Sequence, residues 1–210
     1  MSVAAGNVGA APRKGWPVSA HIDLPVPAFT VVLRQRATFA RQGAPGEGMW
    51  LIVSGALRVA QVSDEGRELL LDVLGPGQGV GEPAGVLSPV SVRALRPCRL
   101  APVSARAAAD LLATRAHRAA ALAADLAWLG VRARIERRLT DLADRFGRSV
   151  EGGRLILLPL TQDEVAALAG TTRESANRAL RALVADGTIR IAARGRYVVR
   201  SRLEALPTIA

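Results

Sequence analysis

The sequence predicts an α+β chain: a β-rich N-terminal half, a long helix, and a C-terminal unit of two short helices and a hairpin. Three observations carry this prediction. Between residues 31 and 92, short aliphatic runs alternate with turns containing Gly and Pro. Between 105 and 146 the only helix breaker is Gly130, in a stretch dense in Ala, Leu and Arg. Between 161 and 199, two helix starts lie ten residues apart and a hairpin pattern follows.

A chain of 210 residues suits one large or two small domains. Half of it is hydrophobic, ample for a core. The net charge of +10 divides as +1 over residues 1–28, +2 over 29–105, +3 over 106–147 and +4 over 148–210. The excess rises toward the C-terminal unit, as the electrostatic footprint of a nucleic-acid-binding domain does. A single cysteine, Cys98, excludes an intrachain disulfide and a multi-cysteine metal site. His21 and His117 are the only histidines; with so few partners they read as surface residues. No metal, resident cofactor or catalytic residue is expected. The start lacks a charged segment followed by an apolar one, and no run of 18 apolar residues occurs. A soluble, cytoplasmic chain without a membrane partner is the expectation.

Taken in order, residues 1–28 combine Gly, Ala and Pro without a period and read as a flexible leader. Residues 29–104 hold strand-like runs at 31–33, 49–53, 57–59, 69–73 and 90–92. Turns at 43–46, 54–55, 64–66 and 75–77 separate them. Short strands at this spacing predict a sandwich or barrel. In the helix of 105–130, Leu112, Ala119, Leu122, Leu126, Leu129 and Ala133 recur at a 3–4 spacing, with Arg115 as the one polar intrusion. That is a coiled-coil seam for a parallel homodimer; the alternative is a helix packed on its own β domain. Gly130 costs about 1 kcal/mol of helix stability relative to Ala and marks a break. Residues 131–210 form the last domain. Its first helix, 131–146, buries Ile135, Leu139, Leu142 and Ala143, and a loop at 149–153 leads to a strand at 155–158.

Thr161 with Glu164 forms a capping box ahead of Val165, Ala166 and Leu168; Thr171 with Glu174 forms a second ahead of Ala176, Ala179, Leu180 and Leu183. Gly170 between them suits the left-handed turn that ends one helix and starts the next. Small residues at Ala166 and Gly170 would let the two helices cross closely. This is a helix-turn-helix, whose second helix enters the DNA major groove. Arg173, Glu174, Asn177, Arg178 and Arg181 lie on one stripe of that helix. Arginine reads guanine bidentately and glutamate accepts from cytosine N4. The bland alternative is a solvated face on a helical hairpin. Ile189, Ile191, a turn at 194–196 and 197–199 form a wing whose arginines, Arg194 and Arg196, suit phosphate.

From residue 126 to 199 the chain resembles the DNA-binding half of the cyclic AMP receptor protein (CRP/FNR-type) family, through the run Thr172-Arg173-Glu174 followed by Arg178. The order Gln42-Gly43, Leu51, Ser54-Gly55, Gly66-Arg67, 75–77 and Gly81-Glu82 is similar to that family's cyclic-nucleotide-binding jelly roll. The resemblance implies a homodimeric regulator that reads a palindromic TGTGA-like site with Arg173, Glu174 and Arg178; Asn177 stands where the family varies. It implies Thr161, Gln162, Thr172 and Arg181 at phosphates, Gly130 as the hinge between sensor and DNA domains, and, in the 149–153 loop, a contact for RNA polymerase.

It also implies an effector pocket at Gly81, Glu82, Val90, Ser91, Ala119 and Ala120, and here the chain departs from the family. The family's phosphate-binding arginine position is Val90, and the loop at 83–89 is short. Ala119 and Ala120 replace the hydroxyl pair that contacts adenine. A buried phosphate without a cation is heavily penalised. The expectation is an effector other than cyclic AMP, or none. The alternative is cyclic-nucleotide control with Arg93 at the phosphate, although strand alternation turns Arg93 away from Val90. An alternative of another class, a cupin-like enzyme, lacks the clustered histidines it would need.

Overall fold

The computed structural model describes residues 30–193 and 195–200. The leader and Arg194 lie outside the described residues. The N-terminal sheet is built around one long strand. Strands β1 (Val31–Leu33), β2 (Thr38–Ala40), β3 (Gly48–Val62), β4 (Glu68–Leu74), β5 (Gly79–Glu82) and β6 (Ser91–Pro102) form a sheet of order β1-β6-β3-β4, with β2 on β6 and β5 on β3. All these pairings are antiparallel. The jelly roll expected from the sequence is present.

One turn expected from the sequence is absent. Ser54 and Gly55 do not end a strand; β3 runs through them, and its register against β6 shifts there. The reason is Gly55, whose φ of +99° no ordinary side chain adopts readily and whose missing Cβ leaves room for Pro97 and Cys98. Cys98 is buried, with Sγ 3.3 Å from the Ala56 carbonyl and 3.0 Å from that of Arg96. Burial pushes its thiol up to about 11, the behaviour of an inert packing residue.

The long helix α1 (Ala105–Trp128) starts at Ser104, whose hydroxyl accepts from the Ala107 amide. It carries two stripes. Leu111, Arg115, Arg118, Leu122 and Asp125 share the spacing that faces its own chain: Leu111 fills the space over Gly79, and Leu122 and Asp125 are buried. Leu122 therefore belongs to intrachain packing and not to the outer seam expected for it. Leu112, Leu126 and Leu129 are partly exposed and Ala119 is exposed.

Helix α2 (Val131–Phe146) follows immediately. Gly130 is its N-cap, in extended conformation (φ −66°, ψ 159°), with open space where a Cβ would sit. The helix-interior penalty expected for Gly130 does not apply, because α1 has already ended. The break is braced: Arg134 Nη1 donates to the Leu126 and Leu129 carbonyls at 3.2 and 3.3 Å, and buried Asp125 pairs with Arg137 at 3.1 Å. Arg134 thus supplies donors to carbonyls at the end of α1, which no helical amide reaches.

The C-terminal unit adds β7 (Gly147–Val150), β8 (Gly153–Ile156), α3 (Gln162–Leu168), α4 (Arg173–Ala185), β9 (Ile189–Ala193) and β10 (Arg196–Val199). Its sheet has the order β7-β8-β10-β9. The loop expected at 149–153 is largely a hairpin: β7 pairs with β8 around Gly152 and Gly153, both at positive φ, and the strand expected at 155–158 ends at Ile156. The two units share a core. Leu70 and Val73 of β4 join Ile135, Leu139, Leu142 and Phe146 of α2 in one buried cluster, while Ile52, Leu57, Val80, Val92 and Leu100 fill the roll.

Candidate DNA-binding face and sensor cleft

The helix-turn-helix is assembled by caps. Thr161 accepts from the Glu164 amide at 3.1 Å, and the Glu164 carboxylate accepts from the Thr161 amide at 2.7 Å, completing the first capping box. Gly170, at φ +57°, closes α3: its amide bonds the Ala167 carbonyl and the Thr171 amide bonds that of Ala166. This is a Schellman motif. The second cap falls one residue later than expected. Thr172, not Thr171, is the N-cap and accepts from the Ser175 amide at 3.3 Å. Thr171 is used by the Schellman motif. Glu174 is consequently released from capping and stands exposed in the first turn of α4.

Ala176, Ala179, Leu180 and Leu183 form the buried side of α4, while Arg173, Glu174, Arg178 and Arg181 line its outer side, all four exposed. Arg173 lies 3.7 Å from Asp163, both side chains being largely exposed. Arg181 donates to the Asn177 carbonyl at 3.4 Å. Asn177 differs from the others: its Oδ1 is buried and meets no donor, and it lines a cleft of about 530 Å³ with Gln162, Leu180, Ile191 and Tyr197. Ile191 is 52% exposed, so the wing presents an apolar edge beside the recognition helix. Arg196 is turned inward, donating to the Leu157 carbonyl at 3.0 Å, and not toward the wing tip expected for it.

On the sensor side, Gly81 and Glu82 line a cleft of about 310 Å³ with Phe39, Arg41, Trp50 and Ser88. Glu82 is buried and Arg115 of α1 holds it in an ion pair, Nη1 to Oε1 2.8 Å and Nη2 to Oε2 2.9 Å; Nη1 also reaches the Gly81 carbonyl at 3.1 Å. Arg115, read from sequence as an intrusion in the seam, thus anchors a residue of the cleft wall. Its spacing with Leu111, Arg118 and Leu122 was the available signal. The other expected pocket residues do not converge on that cleft. Val90 is buried in the roll core, Ser91 Oγ accepts from the Gln42 amide, and Ala119 and Ala120 are exposed on α1. Arg93 is exposed, donates Nε to the Arg36 carbonyl at 3.1 Å and does not line the cleft. The segment 83–90 contains no helix; it is held by a bridge between Pro45 and Leu87.

A β roll joined through a long helix to a winged helix-turn-helix defines a class of DNA-binding regulators, and comparison with known proteins gives the family. Residues 30–115 match the Cyclic nucleotide-binding domain family and residues 133–207 the Crp-like helix-turn-helix domain family. The chain is 32% identical over 191 residues, 82% of its length and 84% of the relative's, to the CRP-like cAMP-activated global transcriptional regulator of Mycobacterium tuberculosis. It is 30% identical over 187 residues, 78% and 80% of the two chains, to the CRP-like protein Clp of Xanthomonas euvesicatoria. Among solved structures, a CRP/FNR-family regulator from Thermus thermophilus superposes with a TM-score of 0.74 at 24% identity, over 84% of this chain and 95% of that one. The c-di-GMP-responsive regulator CLP of Xanthomonas campestris does so with a TM-score of 0.68 at 26% identity, over 82% and 94%. The chain belongs to the CRP/FNR family of transcription regulators; it is a DNA-binding regulator and not an enzyme.

Proposed function

We propose that the protein acts as a homodimer on a palindromic TGTGA-like site, with an effector other than cyclic AMP or none. The observation that carries the reading is the outward stripe Arg173, Glu174 and Arg178 on a helix whose other face is packed. Two such helices, set by a parallel α1 pair, would read two half-sites one helical turn apart. The outer stripe of α1, with Leu112, Ala119, Leu126, Leu129 and a Trp128 that is 83% exposed, supports that pairing. RNA polymerase would be a further partner, approached through the β7–β8 hairpin.

The effector reading rests on the sensor. Two relatives named above carry different nucleotides in their names, so family membership leaves the effector open. In this chain Val90 brings no cation, Ala119 and Ala120 bring no hydroxyl, and Arg93 is bonded to the Arg36 carbonyl and does not line the cleft. Selection of binding sites from random DNA with the full chain, read by gel shift with and without cyclic AMP, tests both parts. A palindrome enriched without nucleotide is the expected outcome; enrichment only with cyclic AMP would overturn the effector reading, and no enrichment the regulator reading.

A further inference from the structure

Strand β4 ends the order β1-β6-β3-β4, so one side of its backbone has no strand neighbour. Unpaired edges expose carbonyls and amides that must be covered or hydrated. Here helix α3 packs against β4, and arginines of helix α2 reach its carbonyls. The register of β4 on β3 skips Leu71, with Val59 opposite Asp72 and Ala60 opposite Leu70. The Leu71 carbonyl accepts from Arg138 Nη2 at 2.7 Å, and the Val73 carbonyl from Arg145 Nη1 at 2.7 Å. Two guanidiniums of α2 thus take the place of a neighbouring strand.

Asp72 sits between those carbonyls, with a side chain 13% exposed. It pairs with Arg118 of α1 (Nε to Oδ2 2.7 Å, Nη2 to Oδ1 3.1 Å) and with Arg145 of α2 (Nη2 to Oδ1 3.1 Å). Asp141 joins from α2, bonding Arg145 and lying 3.9 Å from Arg118. Arg138 also donates Nε to the Leu168 carbonyl at the end of α3, so the cluster reaches the helix-turn-helix itself. Beside it, the turn at Gly170 rests on Leu126 of α1 and Leu69 of β4. Burial pushes the Arg138 guanidinium down, and the Asp72 charge is the first of those that offset it.

We infer that Asp72 is a positioning residue for DNA recognition: it locks α1 and α2 onto the β4 edge, so that the recognition helix is oriented from within the chain and not by a small molecule. The inference rests on the regulator reading above. A nearly buried carboxylate between two arginines is strongly coupled to both, and neutralising it leaves Arg118 and Arg145 to share Asp141 alone, which only Arg145 bonds directly. The DNA domain of such a variant would populate other orientations, and the apparent affinity for a specific site falls by the fraction that remains oriented.

The test uses the full chain and its selected duplex. Asp72→Asn keeps the side-chain shape. We expect affinity for the selected duplex to fall by about tenfold or more, while affinity for scrambled DNA stays within about twofold. A purely structural role would lower thermal stability without changing that ratio, and loss of a negative charge alone would tighten both. Spin labels on cysteines introduced at Glu65 and Glu151 supply the second readout, since both sites are exposed and Cys98 is buried. A narrow distance distribution indifferent to cyclic AMP is expected for the parent, and a broad one for the variant. If Asp72→Asn does not fold, Arg118→Gln removes one cation, leaves both edge carbonyls bonded, and gives the same two readouts. An unchanged affinity ratio with an unchanged distribution would overturn the inference, as would a parent distribution that shifts with cyclic AMP. A parent without preference for any duplex would instead sink the regulator reading.

Discussion

At Thr171 and Thr172 a single residue decides what the recognition helix can present. Because Thr171 closes the Schellman motif, Thr172 takes the cap and Glu174 is left exposed beside Arg173. Substituting Arg173 or Arg178 by Ala is therefore expected to cost about 1–3 kcal/mol on the preferred site and to flatten discrimination at one base pair. Anisotropy titrations against single-base variants of the site check this; equal loss on random DNA would refute it. Gly170 is constrained twice, by φ of +57° and by Leu126, whose Cδ2 lies 2.8 Å from where a Cβ would stand. Gly170→Ala is expected to destabilise the fold by more than the roughly 1 kcal/mol of backbone strain alone, measured by urea unfolding.

The junction between α1 and α2 behaves as a capped corner. Gly130 is an N-cap without a side-chain acceptor, and α2 has no acidic residue in its first turn. Gly130→Ser supplies the missing acceptor in open space. It should stabilise by a few tenths of a kcal/mol and leave DNA binding intact. If the corner instead had to flex through glycine-only conformations, the variant would lose DNA affinity while gaining stability. In α3 the reverse change, Thr161→Ala, removes a formed capping box and should cost about 0.5–2 kcal/mol, visible in the unfolding midpoint.

For the whole molecule, sensor and DNA-binding domain form one core, so the orientation of the recognition helix is a property of the entire chain. Leu126 illustrates the consequence. It is half-buried against Gly170 of its own chain while belonging to the outer stripe of α1. Leu112→Asp, at the far end of that stripe, separates the two roles. It should yield monomers by light scattering with the fold retained, because a charge on each copy would face the other without a partner. Cyclic AMP is expected to bind in the millimolar range. Loss of one charge-assisted hydrogen bond and two neutral ones removes about 3.5–5 kcal/mol, more than two orders of magnitude in affinity. Calorimetry reads this directly, and micromolar binding coupled to DNA affinity would overturn it.

The sequence by itself determined the α+β order, the roll, the helix-turn-helix, the first capping box and the outward arginines of α4. Those follow from local periodicity and cap chemistry, which act within a turn or two. Tertiary structure decided the rest. Ser54 and Gly55 read as a turn until β6 packs against them and makes them a bulge. Arg115 reads as a flaw in a seam until Glu82 is brought beneath it. Arg196 reads as a wing-tip cation until the Leu157 carbonyl draws it inward. Asp72 carries no signal at all in its strand, because its partners Arg118 and Arg145 lie 46 and 73 residues away in the chain. Ion pairs of that separation have no period to betray them; only the folded arrangement of β4, α1 and α2 gives the carboxylate its role.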